Sequence, residues 1–230
     1  MKRSLLAVLT VLFCLTTAVI AVSAKETQVL QASKDTTLIE SPTGDLSNGV
    51  GPAFFVGRTN QSTGSLRRGL LAFDIAEQIP PCSQVQSVQL TLTVERAAGV
   101  QAIGLHRVLK HWSEGNSSSE GGKGSPATKG DTTWIHTFYD SDFWTNPGGD
   151  FSTLVSAVQK VGNKGTYTWD STPEMVADVQ QWLDSPRENF GWLLLGNEEV
   201  PKTAKRFASH ENPDVLAQPQ LRVSFKENSC

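Results

Sequence analysis

The chain has 230 residues, with 20 basic and 23 acidic side chains, a formal net charge of −3 and three cysteines. That length suits one domain with a sizeable core, and the acidic balance argues against a nucleic-acid partner, which would need concentrated positive charge. Four histidines without His-x-x-x-His spacing, and no Cys-x-x-Cys pair, leave no recognisable zinc motif.

The first residues read as a secretory signal peptide over 1–24. Lys2 and Arg3 precede an apolar run from Leu5 to Val22, and Val22-Ser23-Ala24 is a small-residue cleavage site. Phe13 before Cys14 is too large for lipoprotein processing. A mature chain from Lys25 keeps 18 basic and 23 acidic residues, so an acidic polysaccharide gains no help from net charge, only from a local basic patch. No later run is long enough to span a bilayer. The expected location is extracellular or periplasmic, with no membrane contact after cleavage and one domain over 25–230. Export permits Cys82 and Cys230 to pair. An intramolecular bridge is the favoured reading, with free or intermolecular thiols as the alternative.

Period-two patterning dominates the mature chain. Val88, Leu90, Leu92 and Val94 alternate with Gln89, Thr91 and Thr93, and Leu221, Val223 and Phe225 alternate with Gln220, Arg222 and Ser224. Further strands are expected at 36–40, 53–58, 68–75, 100–109, 154–161, 165–170, 190–195 and 204–209. About ten short strands between turn residues predict an antiparallel two-sheet sandwich. One short helix is expected at about 173–184, capped by Thr172, begun by Pro173 and burying Met175, Val179, Trp182 and Leu183 against the sandwich. The segment 115–130, GNSSSEGGKGSPATKG, reads as a mobile surface loop inside the domain.

Signatures of catalysis are missing. Gly122-Lys123 is followed by Gly124, which fails the phosphate-loop pattern, and no Gly-x-Ser-x-Gly elbow occurs. Glu114, Asp131, Asp140, Asp142, Asp150 and Asp170 read as solvated or turn-capping carboxylates. A glycosidase pair among them is the sharper alternative, because such a pair is defined in space. No organic cofactor is expected. A structural calcium held by loop carboxylates is compatible with these residues, with no ligand set assigned. Aromatic residues cluster between Trp134 and Phe151. Trp134 and Phe151 are expected to fold back on the sandwich, whereas Tyr139 and Trp144 are candidates to stack on a sugar, with His136 and Asn146 as hydrogen-bonding neighbours.

Several landmarks occur in a fixed order: Arg68-Gly-Leu-Leu-Ala-Phe-Asp74, Ile79-Pro-Pro81, Val88-Gln-Leu-Thr-Leu92, Trp112-Ser-Glu-Gly115, Gly130-Asp-Thr-Thr-Trp134, Phe143-Trp-Thr-Asn-Pro-Gly-Gly-Asp-Phe151 and NFGWLLLGNE from Asn189. Together they resemble the DNRLRE-domain proteins, exported bacterial and archaeal modules similar to alginate-binding carbohydrate-binding modules. The resemblance implies a jelly-roll-type sandwich and a binding or matrix role, but no secure set of ligand residues. Members often carry Asp and Arg where this chain has Ala208 and His210. The function expected is a secreted, non-catalytic module recognising a polysaccharide or a matrix component. A structural or adhesion protein of the cell surface is the second class, and a polysaccharide lyase or hydrolase the third.

Overall fold

The computed structural model describes residues 25–228; the expected signal peptide and Cys230 lie outside them. In chain order the first strands are β1 (Lys25–Gln31), β2 (Lys34–Ile39), β3 (Leu46–Ser47), β4 (Ala53–Arg58) and β5 (Leu66–Ala72), followed by the short helix α1 (Ile75–Gln78). Then come β6 (Gln84–Arg96), β7 (Gln101–Val108), β8 (Ser125–Pro126), β9 (His136–Phe138), β10 (Asp142–Phe143), β11 (Phe151–Val161) and β12 (Gly165–Trp169). Helix α2 (Pro173–Asp184) leads to β13 (Trp192–Leu195), β14 (Lys205–Ala208) and β15 (Gln220–Lys226).

All the pairings are antiparallel and form an all-β sandwich. One layer is centred on β6, which carries β12 on one side and β15 then β14 in succession on the other; β1 flanks β15 and β4 flanks β14. The other layer runs β2, β5, β13, β7, β11. Strand β4 joins them: residues 53–56 pair with β14, while Gly57 and Arg58 pair with β5. In β6, Val85, Val88, Leu90, Leu92 and Val94 are buried. Val85 and Val88 are an odd number of residues apart, so strict alternation would turn one outward. The register skips Gln86 between Ser87 and Val85, and that bulge restores the phase.

Helix α2 occupies the predicted span. Thr172 Oγ1 accepts from the Met175 amide, and Pro173 sits in the first turn, where its missing N–H costs nothing. Its apolar face, Met175, Val179, Trp182 and Leu183, is buried against β6 and β11. Each such side chain contributes on the order of 2 kcal/mol. Trp182 meets Trp192 edge to face at 4.6 Å, and Asp178 accepts from Trp192 Nε1 at 2.8 Å and Ser156 Oγ at 2.6 Å.

A second core lies on the outer face of the β2–β5–β13–β7 layer. Leu38, Leu70, Ala72, Val108 and Leu193 are covered there by Trp112, Trp134 and Trp144, with Ile135 and Phe151 packed against them. The Arg68 guanidinium stands over the Trp134 ring at 4.9 Å and binds Glu198 through two hydrogen bonds of 2.7 and 2.9 Å.

Three sequence expectations change. Ile75 starts α1 instead of ending a strand. Strand β1 is too polar to show alternation, and it pairs only with β15 at the sheet edge, where polar side chains are tolerated. The segment 115–130 is not a free loop. Buried Asp131 accepts from the amides of Asn116 and Thr128 and from Ser117 Oγ, while Ser125 and Pro126 pair with β3. A carboxylate just outside a polar stretch can supply the order that the stretch itself lacks.

Candidate functional site

The residues expected to meet a sugar are largely committed to each other. Trp144 is 5% exposed and donates Nε1–H to the Thr133 carbonyl at 3.0 Å, so its faces are spent on the second core. His136 is buried, with Nδ1 3.0 Å from Thr133 Oγ1 and with the Tyr139 and Phe143 rings against it at 5.0 and 4.6 Å. Tyr139 is half-buried. Asn146 is exposed, and its amide and side chain both bind Asp150 Oδ1 at 3.0 Å. The large aromatic presented to solvent in this stretch is Phe143, at 53% exposure. Trp134 is buried and Phe151 partly buried, as expected.

A basic cleft lies elsewhere, along β4, β5 and the pinned 115–130 segment. Arg67 is 1% exposed. Its Nε donates to Gly122 O, its Nη1 to Gly64 O (2.8 Å) and Leu66 O (2.6 Å), and its Nη2 to Gln61 Oε1 (3.3 Å). Those bonds use four of five N–H groups, and no carboxylate lies within ion-pair distance among the described residues. Burial lowers its pKa to about 10, against the opposing pull of the Glu40 carboxylate, so it stays charged at neutral pH. It lines a cleft of about 590 Å³ with Glu40, Ser41, Gln61, Thr63 and Lys123. Gln61 and Lys123 also border a neighbouring hollow of about 240 Å³, walled by Phe55, Arg96 and Arg206. Arg206 is neutralised by Glu95 at 2.7 Å, whereas exposed Arg96 and Lys123 form no ion pair among the described residues. A third hollow, about 300 Å³ beside α2, is lined by Arg107 and Asp178, paired to each other at 3.5 Å, and by Glu174, so it carries no unpaired positive charge.

At the opposite end of the β2–β5 ladder, three segments meet around one imidazole. Asp35 on β2 is 1% exposed; Glu114 follows β7, and His210 and Glu211 form the turn after β14. His210 Nδ1 lies 3.2 Å from Asp35 Oδ2 and 3.4 Å from Glu114 Oε1, and Nε2 lies 3.0 Å from Glu211 Oε1. Main-chain bonds fix the arrangement: His210 N donates to Asp35 Oδ2 (2.7 Å) and Asp35 N to Glu114 Oε1 (2.7 Å). Burial opposes charge on the imidazole, but its bonds to Asp35 and Glu211 outweigh that and raise it to about 10. Burial pushes Asp35 up to about 6, against the pull of His210, and Glu114 up to about 7, against the hydrogen bond from the Asp35 amide. Lys34 is lowered by burial to about 8, although Glu114 and Asp74 oppose the shift. Its ammonium points away to Trp112 O at 2.7 Å and stands 4.0 Å over that ring.

Asp35, His210 and Glu211 are the one group of three or more His, Cys, Asp and Glu side chains among the described residues close enough to share an ion. In the sequence Glu114 and His210 stand out separately, but nothing local joins positions 35, 114 and 210. No family model matches this chain, and no curated protein matches it.

Proposed function

We propose that this protein is a secreted, non-catalytic module that binds an acidic polysaccharide in the Arg67–Lys123–Arg96 cleft. The observation that carries the reading is Arg67: a buried guanidinium with no carboxylate within ion-pair distance, one N–H to spare and an open cleft above it, where the one acidic lining residue, Glu40, is engaged by the amides of Ser65 and Leu66. A uronate carboxylate or a sulfate supplies the missing anion, and the fork geometry of Arg suits it. Lys123 and Arg96 add unpaired charge along the rim, and Ser41, Gln61 and Thr63 offer hydrogen bonds to sugar hydroxyls. The chain is acidic overall, so this local reversal of sign is what would select an anionic glycan. Resemblance to alginate-binding modules points the same way.

The test is gel retardation on a panel of acidic and neutral glycans. Retention by polygalacturonate, alginate or hyaluronan that weakens with salt, alongside free migration in dextran, chitin and cellulose, is the expected result. Equal retention by neutral glycans, or none by any acidic one, refutes the reading. The proposal includes a Cys82–Cys230 bridge. The register sets Lys226 against Gln84, which brings the C-terminal end of β15 beside Cys82. Intact mass before and after reduction checks it by the two hydrogens gained.

One observation favours the second reading, a structural or adhesion protein. Strand β11 ends its layer and exposes Leu154 (65%), Val155 (38%) and Val158 (59%), an apolar edge of the kind that strand addition uses. Concentration-dependent self-association in sedimentation would support that reading.

A further inference from the structure

We propose that Asp35, His210 and Glu211, with Glu114 closing the cluster, form a binding site for a small divalent cation of the zinc class. Each of the first three offers a ligand atom within 4.8 Å of the others. From Nδ1, the separations of 3.2 Å to Asp35 Oδ2 and 3.4 Å to Glu114 Oε1 approach the ~3.3 Å edge of a tetrahedron built from ligand bonds of about 2.0–2.1 Å, whereas Glu211 Oε1 now faces the other ring nitrogen, Nε2, and its carboxylate would turn to join an ion held at Nδ1. Glu114 Oε1, already 3.4 Å from the imidazole, is the fourth donor at hand.

Two further observations point to a cation. The first is charge. Three carboxylates face one imidazole, and the nearest ammonium, Lys34, is turned onto Trp112. Even a protonated His210 leaves the cluster negative, and a divalent ion would replace that proton and remove the excess. The second is an orphan atom: Glu211 Oε2 is sealed from solvent and has no hydrogen-bond partner. A buried carboxylate oxygen without a partner is costly, and a ligated ion would satisfy it.

The scaffold is preorganised. Ser209 Oγ donates to Gly51 O (2.7 Å) and Asn212 Nδ2 to Pro52 O (2.9 Å), which hold the turn bearing His210 and Glu211. Gly49 lets the backbone pass Glu114, where a Cβ would lie 2.0 Å from the Glu114 carbonyl oxygen. The donor set also selects the metal. Calcium takes oxygen ligands, whereas one imidazole among carboxylates suits zinc and its neighbours. The site thus differs from the calcium that the loop carboxylates suggest from sequence.

The experiment uses tag-free mature protein stripped with a chelator. Zinc chloride is expected to bind one equivalent, read by competition with a chromophoric chelator. At a hundredfold excess over Kd it should raise Tm by roughly 5–10 °C, while calcium chloride leaves Tm unchanged. His210→Arg supplies a guanidinium to the same carboxylates but cannot ligate, so it is expected to fold and lose the zinc response. Glu211→Gln, with one charge removed, is expected to bind zinc at least tenfold more weakly. Cobalt bound at the site is expected to give tetrahedral-type visible bands. No zinc shift in the parent protein, an equal shift in His210→Arg, or a larger shift with calcium overturns the proposal.

Discussion

Arg67 and Asp35 lie on facing strands of the β2–β5 ladder, four register steps apart, or about 13 Å along it, and both are almost wholly buried charges. Their surroundings solve the cost of burial in opposite ways. Arg67 is wrapped by carbonyl oxygens and keeps its full charge facing a cleft. Asp35 is gathered with two more carboxylates around a single imidazole, and the cost appears as raised proton affinity. Lys205 separates the two cases further. It is buried too, but its three donors are consumed by the carbonyls of Ala98, Gly99 and Gly162, so it has nothing left for a ligand. Burial of a charge marks a functional place only when donors or acceptors remain unspent.

That contrast can be broken at either end. The largest expected effect is at His210. His210→Ala strands three carboxylates and is expected to cost about 3–5 kcal/mol at pH 8 in chelator, read by urea unfolding. The loss should shrink towards pH 4, where the carboxylates protonate. A uniform loss at both pH values would mean that packing, not charge, binds the turn.

Arg67→Ala comes next, at about 2–3 kcal/mol. It leaves the carbonyls of Gly64, Leu66 and Gly122 unsatisfied but relieves a buried charge. The same variant is expected to lose acidic-glycan retention.

A smaller effect is the pH dependence of the parent protein in chelator. Asp35, Glu114 and His210 all have folded pKa values above their ordinary ones, so the native state holds extra protons between about pH 4 and 10. Stability from each group is present below its unfolded pKa and lost as pH rises through the folded value, so the urea midpoint should fall from pH 5 to pH 9. His210→Arg is expected to flatten that slope. Smallest of all on stability is the rim pair. Arg96→Glu with Lys123→Glu should shift unfolding by less than about 0.5 kcal/mol, yet reduce acidic-glycan binding at least tenfold.

The sequence reveals most where structure is local. Thr172-Pro173 and the apolar spacing through Leu183 are a complete helix signal, and β6 and β15 show their alternation directly. The binding cleft is invisible by the same logic. Arg67 looks like any polar residue opening a strand, and its burial depends on Gly122, which is distant in sequence. The aromatic run misleads for a related reason. Trp144 reads as a loop tryptophan because the sequence cannot show that the outer face of the second layer, Leu38, Leu70 and Leu193, is apolar and needs a cover. His210 stands out in the sequence as a departure from the resembled pattern, but its meaning requires Asp35 and Glu114 from segments far away.

The pairing of β1 with β15 sets Lys25 opposite Lys226, so the two ends of the described chain run side by side through seven residue pairs. A short linker joining them, with new ends opened at an exposed turn such as Val215–Leu216, should yield a circular permutant with the same core. In the natural order, by contrast, β1 finds its partner only when β15 is complete. Closure of this layer therefore waits for every strand between them, and non-local pairing of this kind makes for slow folding.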